Sequence, residues 1–154
     1  MHALGSAVAV DRPIGDVFDF LAEARNQPAW RSDVSLVARI SGSGKPLGVG
    51  TGYLLRVTDP RGRVTEETLE ITRYEPPHLV EFIVTRGQAR LVGRYTLVAI
   101  NSTTTHVEYT LRRVSPELRV KARRDDRSDL QHRVGALSAV PTAMKDQGAQ
   151  LLQS

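Results

Sequence analysis

Residues 64–114 read VTEETLEITRYEPPHLVEFIVTRGQARLVGRYTLVAINSTTTHVEYTLRRV. Apolar and polar residues alternate along this stretch, which is the period of a strand with one buried face. Short turns interrupt it at Glu75-Pro76-Pro77, near Gly87, and at Asn101-Ser102-Thr103. The runs 64–74, 79–85, 91–100 and 105–114 therefore read as strands of a meandering antiparallel sheet. Upstream, Val34–Ile40 and Tyr53–Val57 add two more, separated by a glycine-rich turn from Gly42 to Gly52. Residues 6–10 form a further short strand. Between that strand and the sheet, Ile14, Val17, Phe18 and Leu21 fall at helical spacing, with Asp11 as a candidate N-cap and Pro13 at the start. Asn26-Gln27-Pro28 breaks this helix, and Pro28-Ala29-Trp30 can begin another short turn. Downstream, Leu130, Val134, Leu137, Val140, Met144, Leu151 and Leu152 mark a long C-terminal helix, interrupted near Pro141 and loosened near Gly148. Its polar approach, 117–129, reads either as loop or as a first helical piece.

The chain has 154 residues, 40% hydrophobic and 25% charged, which suits one globular domain spanning 1–154. It has no cysteine, so disulfides, thiolate metal sites and cysteine nucleophiles are excluded. The four histidines are not at metal-ligand spacing, and no metal is expected. No apolar run approaches the about 18 residues of a membrane span, so no membrane insertion is expected. The start lacks the basic segment of a secretory signal, and a cytoplasmic location is the expectation. The net charge of +4 is local: residues 112–133 carry eight Arg/Lys against four Asp/Glu. Acids interleave with these bases and no aromatic side chain is available for stacking, so the segment reads as solvated and salt-bridged, not as a nucleic-acid surface.

Strand, helix pair, six strands and a long amphipathic helix describe a curved antiparallel sheet wrapped around one helix. With VDRPIGDVFDFLAEARNQPAW (10–30), PLGVGTGY (46–53), EETLEITRYEPP (66–77), GRYTL (93–97) and HVEYTL (106–111), the chain resembles the START-like, or SRPBCC, superfamily. This group includes the polyketide cyclase/dehydrase proteins. The resemblance covers about residues 6–152 and implies an α+β helix-grip fold with an internal cavity between sheet and helix. It implies a hydrophobic or polycyclic small-molecule ligand, and an enzyme of the cyclase/dehydrase type working without a cofactor.

Alternation assigns the inward side chains. They are Tyr53, Leu55 and Val57 on one strand, then Thr65, Glu67, Leu69 and Ile71 on the next. Val80, Phe82 and Val84 follow, then Leu91, Gly93, Tyr95 and Leu97, and last Val107, Tyr109 and Leu111. Leu137, Val140, Met144, Leu151 and Leu152 would close the lid, and Trp30 either lines the mouth or plugs the core. The result is an apolar chamber with few polar groups, chiefly three tyrosine hydroxyls and the Glu67 carboxylate. Such a chamber suits a flat or aliphatic ligand fixed by a few hydrogen bonds. Glu67 with Tyr95 or Tyr109 could move a proton and polarise a carbonyl, the elementary step of cyclisation, dehydration or isomerisation. The alternative is that Glu67 is bonded to a neighbour or to water and does no chemistry. His78, His106 and His132 read as surface residues, and the glycines at 48–52 as a turn with no helix behind it to hold a phosphate. Two further readings compete with the enzyme: a non-catalytic carrier or sensor of a lipid-like ligand, and a partner-binding module using 112–133. Pairing of the sheet edges into a homodimer is open.

Overall fold

The computed structural model describes the backbone of residues 3–114 and 124–153, and side chains over 4–114 and 127–147. The strands are β1 (Ala3–Val10), β2 (Val34–Ser41), β3 (Gly52–Thr58), β4 (Val64–Glu75), β5 (Leu79–Arg86), β6 (Ala89–Asn101) and β7 (Thr104–Val114). They form one seven-stranded sheet in the order β1-β7-β6-β5-β4-β3-β2, with every pairing antiparallel. From β2 to β7 the chain is a pure meander, as the short turns imply. The first strand then adds an edge to the sheet by pairing with the last, Val8 opposite Val107.

Helix α1 (Ile14–Ala22) buries Val17, Phe18, Phe20 and Leu21. Asp11 is not its cap: the helix begins at Pro13, whose ring sets the backbone and whose carbonyl accepts the Val17 amide at 3.2 Å. Asp11 stays exposed, its carboxylate 3.5 Å from the Thr104 hydroxyl. The chain continues into a 3₁₀ turn, Ala24–Ala29, that contains Pro28 and is closed by Trp30 donating its amide to Gln27 O. Asn26-Gln27-Pro28 thus lies inside a tighter helix, since Asn26 N already bonds Glu23 O at 3.0 Å.

The C-terminal part comprises α2 (Arg124–Gly135), a 3₁₀ turn (Ala136–Ala139) and α3 (Val140–Gln153). The polar approach is helical from Arg124 onward, and its earlier residues lie outside those described. The interruption falls just before Pro141, which sits in the first turn of α3, where a missing amide costs nothing. Leu151 and Leu152, expected in the lid, have side chains outside those described.

The core lies between the concave face and these helices. Tyr53, Leu55, Leu69, Ile71, Phe82, Leu97, Leu137 and Met144 are all buried in it. One register shift changes the pattern: a bulge between Ile71 and Arg73 turns Tyr74, not Arg73, to the inner side opposite Val80. Its ring there meets Phe18 edge-on, 5.4 Å between centroids. Strict alternation cannot reveal such a shift.

Gly93 is required by a close approach. A Cβ there would lie 2.3 Å from the Phe82 ring, which covers the glycine from the neighbouring strand. Gly93→Ala is expected to lower the unfolding free energy by about 1–3 kcal/mol, because the ring must leave its place in a packed core. Urea denaturation measures the loss.

Candidate functional site

The site assembles where the N-terminal half of β4, the first half of β6, the second half of β7 and the 3₁₀ turn before β2 face α2. Its centre is Glu67, on the inner face of β4 opposite Leu55 and 1% exposed. Arg133 reaches it from α2 and is itself 2% exposed. Its Nη1 donates to Glu67 Oε1 at 2.8 Å, its Nη2 donates to Glu67 Oε2, and its Nε donates to Asp129 Oδ2 at 3.0 Å. The planar guanidinium matches the carboxylate fork to fork. Burial works against the Arg133 charge, but the hydrogen bonds and charge of Glu67, and the charge of Asp129, hold its pKa above the ordinary guanidinium value.

A second buried pair lies nearby, just before β2, close enough for the Arg133 charge to act on Asp33. Arg31, 3% exposed, donates from Nη2 to Asp33 Oδ2 at 2.8 Å, from Nε to Asp33 Oδ1 at 3.2 Å, and from Nη1 to Gln27 Oε1 at 2.8 Å. Burial alone would raise the Asp33 pKa, but the bonds and charge of Arg31 hold it below the ordinary carboxylate value. The interior is therefore not an apolar chamber with one carboxylate, as composition and alternation suggest. It holds two guanidiniums as well. Arg133 is also not part of a solvated basic segment. The spacing that could have exposed it is Leu130, Arg133, Val134 and Leu137, which sets one arginine in the apolar stripe of the helix. Nothing comparable in the sequence marks Arg31.

Beside the two pairs lies an aromatic cluster, and the charges of both act on Tyr109. Tyr95 and Tyr109 are opposite each other on β6 and β7, with ring centroids 4.8 Å apart. Trp30 meets both edge-on, at 6.4 Å and 6.2 Å, and Phe82 lies 5.2 Å from Tyr95. Burial raises the pKa of both phenols, and the Arg31 charge works against this at each. Among the described residues the Tyr95 hydroxyl and the Trp30 indole Nε1 are enclosed without a hydrogen-bond partner. Tyr53 stands apart: its hydroxyl donates to Glu23 Oε2 beside α1, and burial pushes its pKa up.

Open space flanks α2 on two sides. A pocket of about 170 Å³ is lined by Glu67, Arg86, Leu91, Asp129, Leu130 and Arg133, among others. A second, of about 390 Å³ and more open, is lined by Trp30, Ser32, Gln131, His132, Gly135, Ala136 and Ala139. Of the side chains expected to touch a ligand, Glu67 and Trp30 line these pockets. Tyr53, Tyr95 and Tyr109, and Leu55, Leu69, Ile71, Phe82, Leu97, Leu137 and Met144, line neither and belong to the packed core. His78 and His132 are exposed, and His106 lies 3.4 Å from Glu108 on the outer face. Among the described residues no helix is long and apolar enough to cross a membrane.

A model of the family described as polyketide cyclase / dehydrase and lipid transport matches residues 1–140. No curated protein sequence matches significantly. Among solved structures the chain is similar to the Zhui aromatase/cyclase from a Streptomyces species, with a TM-score of 0.72, 13% identity, and coverage of 94% of this chain and 94% of that one. A START superfamily protein from Mycobacterium smegmatis has a TM-score of 0.63 and 14% identity, covering 89% of this chain and 94% of that one. The di-domain ARO/CYC BexL has a TM-score of 0.63 and 19% identity, covering 94% of this chain and 49% of that one. At such identities the likeness bears on the fold, and it agrees with a curved sheet gripping a C-terminal helix.

Two outcomes follow for stability. Glu67→Gln removes the forked counter-ion of the buried Arg133 and leaves it Asp129 alone, so it is expected to cost about 3 kcal/mol, whereas replacing both Glu67 and Arg133 with methionine costs less. Tyr95→Phe removes an enclosed hydroxyl that has no partner, so the free protein is expected to lose nothing, or to gain about 1 kcal/mol. Chemical denaturation of the purified variants checks both.

Proposed function

The chain belongs to the polyketide cyclase / dehydrase and lipid transport family, and from that premise we propose that it binds a hydrophobic, oxygen-bearing cyclic or polyketide-like molecule in the seam between sheet and α2. The observation that carries this reading is the Glu67–Arg133 fork, a buried charged pair that borders an open pocket and lies beside aromatic rings. A buried ion pair does little for stability compared with apolar side chains of the same size. Its place at a pocket wall, with tyrosines behind it, is better accounted for by a ligand. Rings of the ligand would meet the Trp30, Tyr95 and Tyr109 cluster, and its oxygens would meet phenol and guanidinium donors.

For catalysis we assign Glu67, Tyr95 and Tyr109. The tyrosines, kept protonated by burial, would donate to a carbonyl oxygen and stabilise the enolate that forms there. The Glu67 carboxylate, oriented by Arg133, would take the proton lost from the adjoining carbon. Confinement of a flexible chain in the seam would supply much of the rate of a ring closure or dehydration, and no cofactor enters these steps. A carrier without chemistry is the second reading. It is favoured by one feature: both Glu67 oxygens already accept from Arg133.

Incubation of the protein with an organic extract of its source organism, followed by mass spectrometry, separates the two. A compound consumed by the wild type and spared by both Tyr109→Phe and Glu67→Gln, each shown by its melting curve to be folded, is the result expected of the enzyme. A compound that co-purifies unchanged identifies the carrier. If no compound is retained or consumed, the small-molecule reading fails.

A further inference from the structure

Resting on the reading that a small molecule occupies the seam beside α2, we propose that this molecule is a monocarboxylic acid whose ionised carboxylate is held by the Arg86 guanidinium. The β5–β6 hairpin puts Arg86 in place. Its turn is Gly87-Gln88, with Gly87 at a φ of 58° that glycine adopts without strain, and it sets Arg86 opposite Ala89. Period two then continues the inner face of β5 from Val80, Phe82 and Val84 to Arg86. The inner face of β7 ends in the same way, on Arg113, which lies opposite Leu91. Two strands that present apolar side chains to the core thus change to arginine at the same end of the sheet. Both arginines line the pocket of about 170 Å³ beside α2.

The charges of the pocket wall do not cancel. Among the described residues three guanidiniums line it, Arg86, Arg113 and Arg133, against two carboxylates, Glu67 and Asp129. Both carboxylates accept from Arg133. Arg86 is half-buried, and among the described residues its side chain has no hydrogen bond or ion pair. A guanidinium partly removed from water and left without a counter-ion gains by taking one up. Its planar fork matches the two oxygens of a carboxylate. The surplus of one positive charge suits a monoanion, whereas a phosphate dianion brings its second charge against Glu67 and Asp129. Ala89, Leu91 and Leu130 supply apolar wall, which calls for an apolar body on the acid. A cavity of about 150 Å³ holds one benzene ring, so an acid the size of benzoate fits here.

The test uses benzoate, benzamide and phenyl phosphate, which share one ring and differ in charge. Their binding to the full chain is measured by isothermal titration calorimetry at neutral pH. Benzoate is expected to bind about tenfold more tightly than benzamide, the worth of a hydrogen bond between charged groups, and more tightly than phenyl phosphate. In Arg86→Gln that preference should fall to about twofold or less, while benzamide keeps its affinity. Arg90→Gln removes the same charge from the exposed outer side of β6 and should leave the preference as in the wild type. Proton–nitrogen NMR of the wild-type arginine Nε–H groups gives a reading that needs no variant: one should move downfield with benzoate and none with benzamide. Equal affinity for benzoate and benzamide overturns the inference and leaves small-molecule binding standing. Tighter binding of phenyl phosphate, a preference unchanged in Arg86→Gln, or one lost equally in Arg90→Gln also overturns it. If none of the three binds, the inference falls, and the small-molecule reading falls with it only if the organic extract also yields no compound that is retained or consumed.

Discussion

The fork between Arg133 and Glu67 is the constraint on which the arrangement of sheet and helix turns. The helix that carries Arg133, α2, has an exposed face of Arg127, Ser128, Gln131 and His132, and among its described side chains it buries Leu130, Arg133 and Val134. Apolar packing of that size holds a helix loosely. The fork fixes its rotation and its height above β4, and the Ser6 hydroxyl adds a tie by donating to the Val134 carbonyl. Once α2 is set, the 3₁₀ turn that follows brings Leu137 to the core, and α3 adds Ala143 and Met144. Farther along, an Arg12 Nη2 donates to the Met144 carbonyl at 3.1 Å.

Most of the fold was legible because the sheet is a meander. Alternation over residues 64–114 set the strands, and short turns left no alternative order for their neighbours. The family resemblance in residues 10–30 agreed with this, and the match over 1–140 establishes it. The inward faces followed from period two, and Glu67, Tyr95 and Tyr109 are buried where alternation put them. What was not legible has physical causes. A bulge adds one residue without a sequence mark, so Tyr74 was missed. A helix start fixed by proline geometry displaced the expected cap at Asp11. Arginine is ordinarily a surface residue, and composition gives no warning when two of them are buried with their carboxylates.

Those two arginines alter how the site is read. A lone carboxyl in an apolar chamber would act by its own perturbed proton affinity. A carboxylate gripped by a guanidinium acts as part of a unit, and its first effect is to orient. The aromatic cluster is constrained in the same way. Phe82 covers Gly93, Tyr95 packs on Tyr109, and Trp30 stands against both, so each ring fixes the next. Rigid donors in a water-poor wall are what discrimination between similar ligands requires.

The pairing of the first strand with the last has a consequence for how the chain acquires its structure. Strand β1 pairs with β7, Ala3 opposite Arg112 and Val10 opposite Thr105. When the first strand leaves the ribosome its partner has not been made, and nearly the whole meander must be synthesised before it can dock. Until then Val8 and Val10 are exposed, and the inner face of β7 has no shelter from α2. Pairings so distant in sequence bear a large loop-closure cost before they return any stability. The topology therefore makes β1 dependent on the far end of the meander, since it has no strand partner until β7 is present.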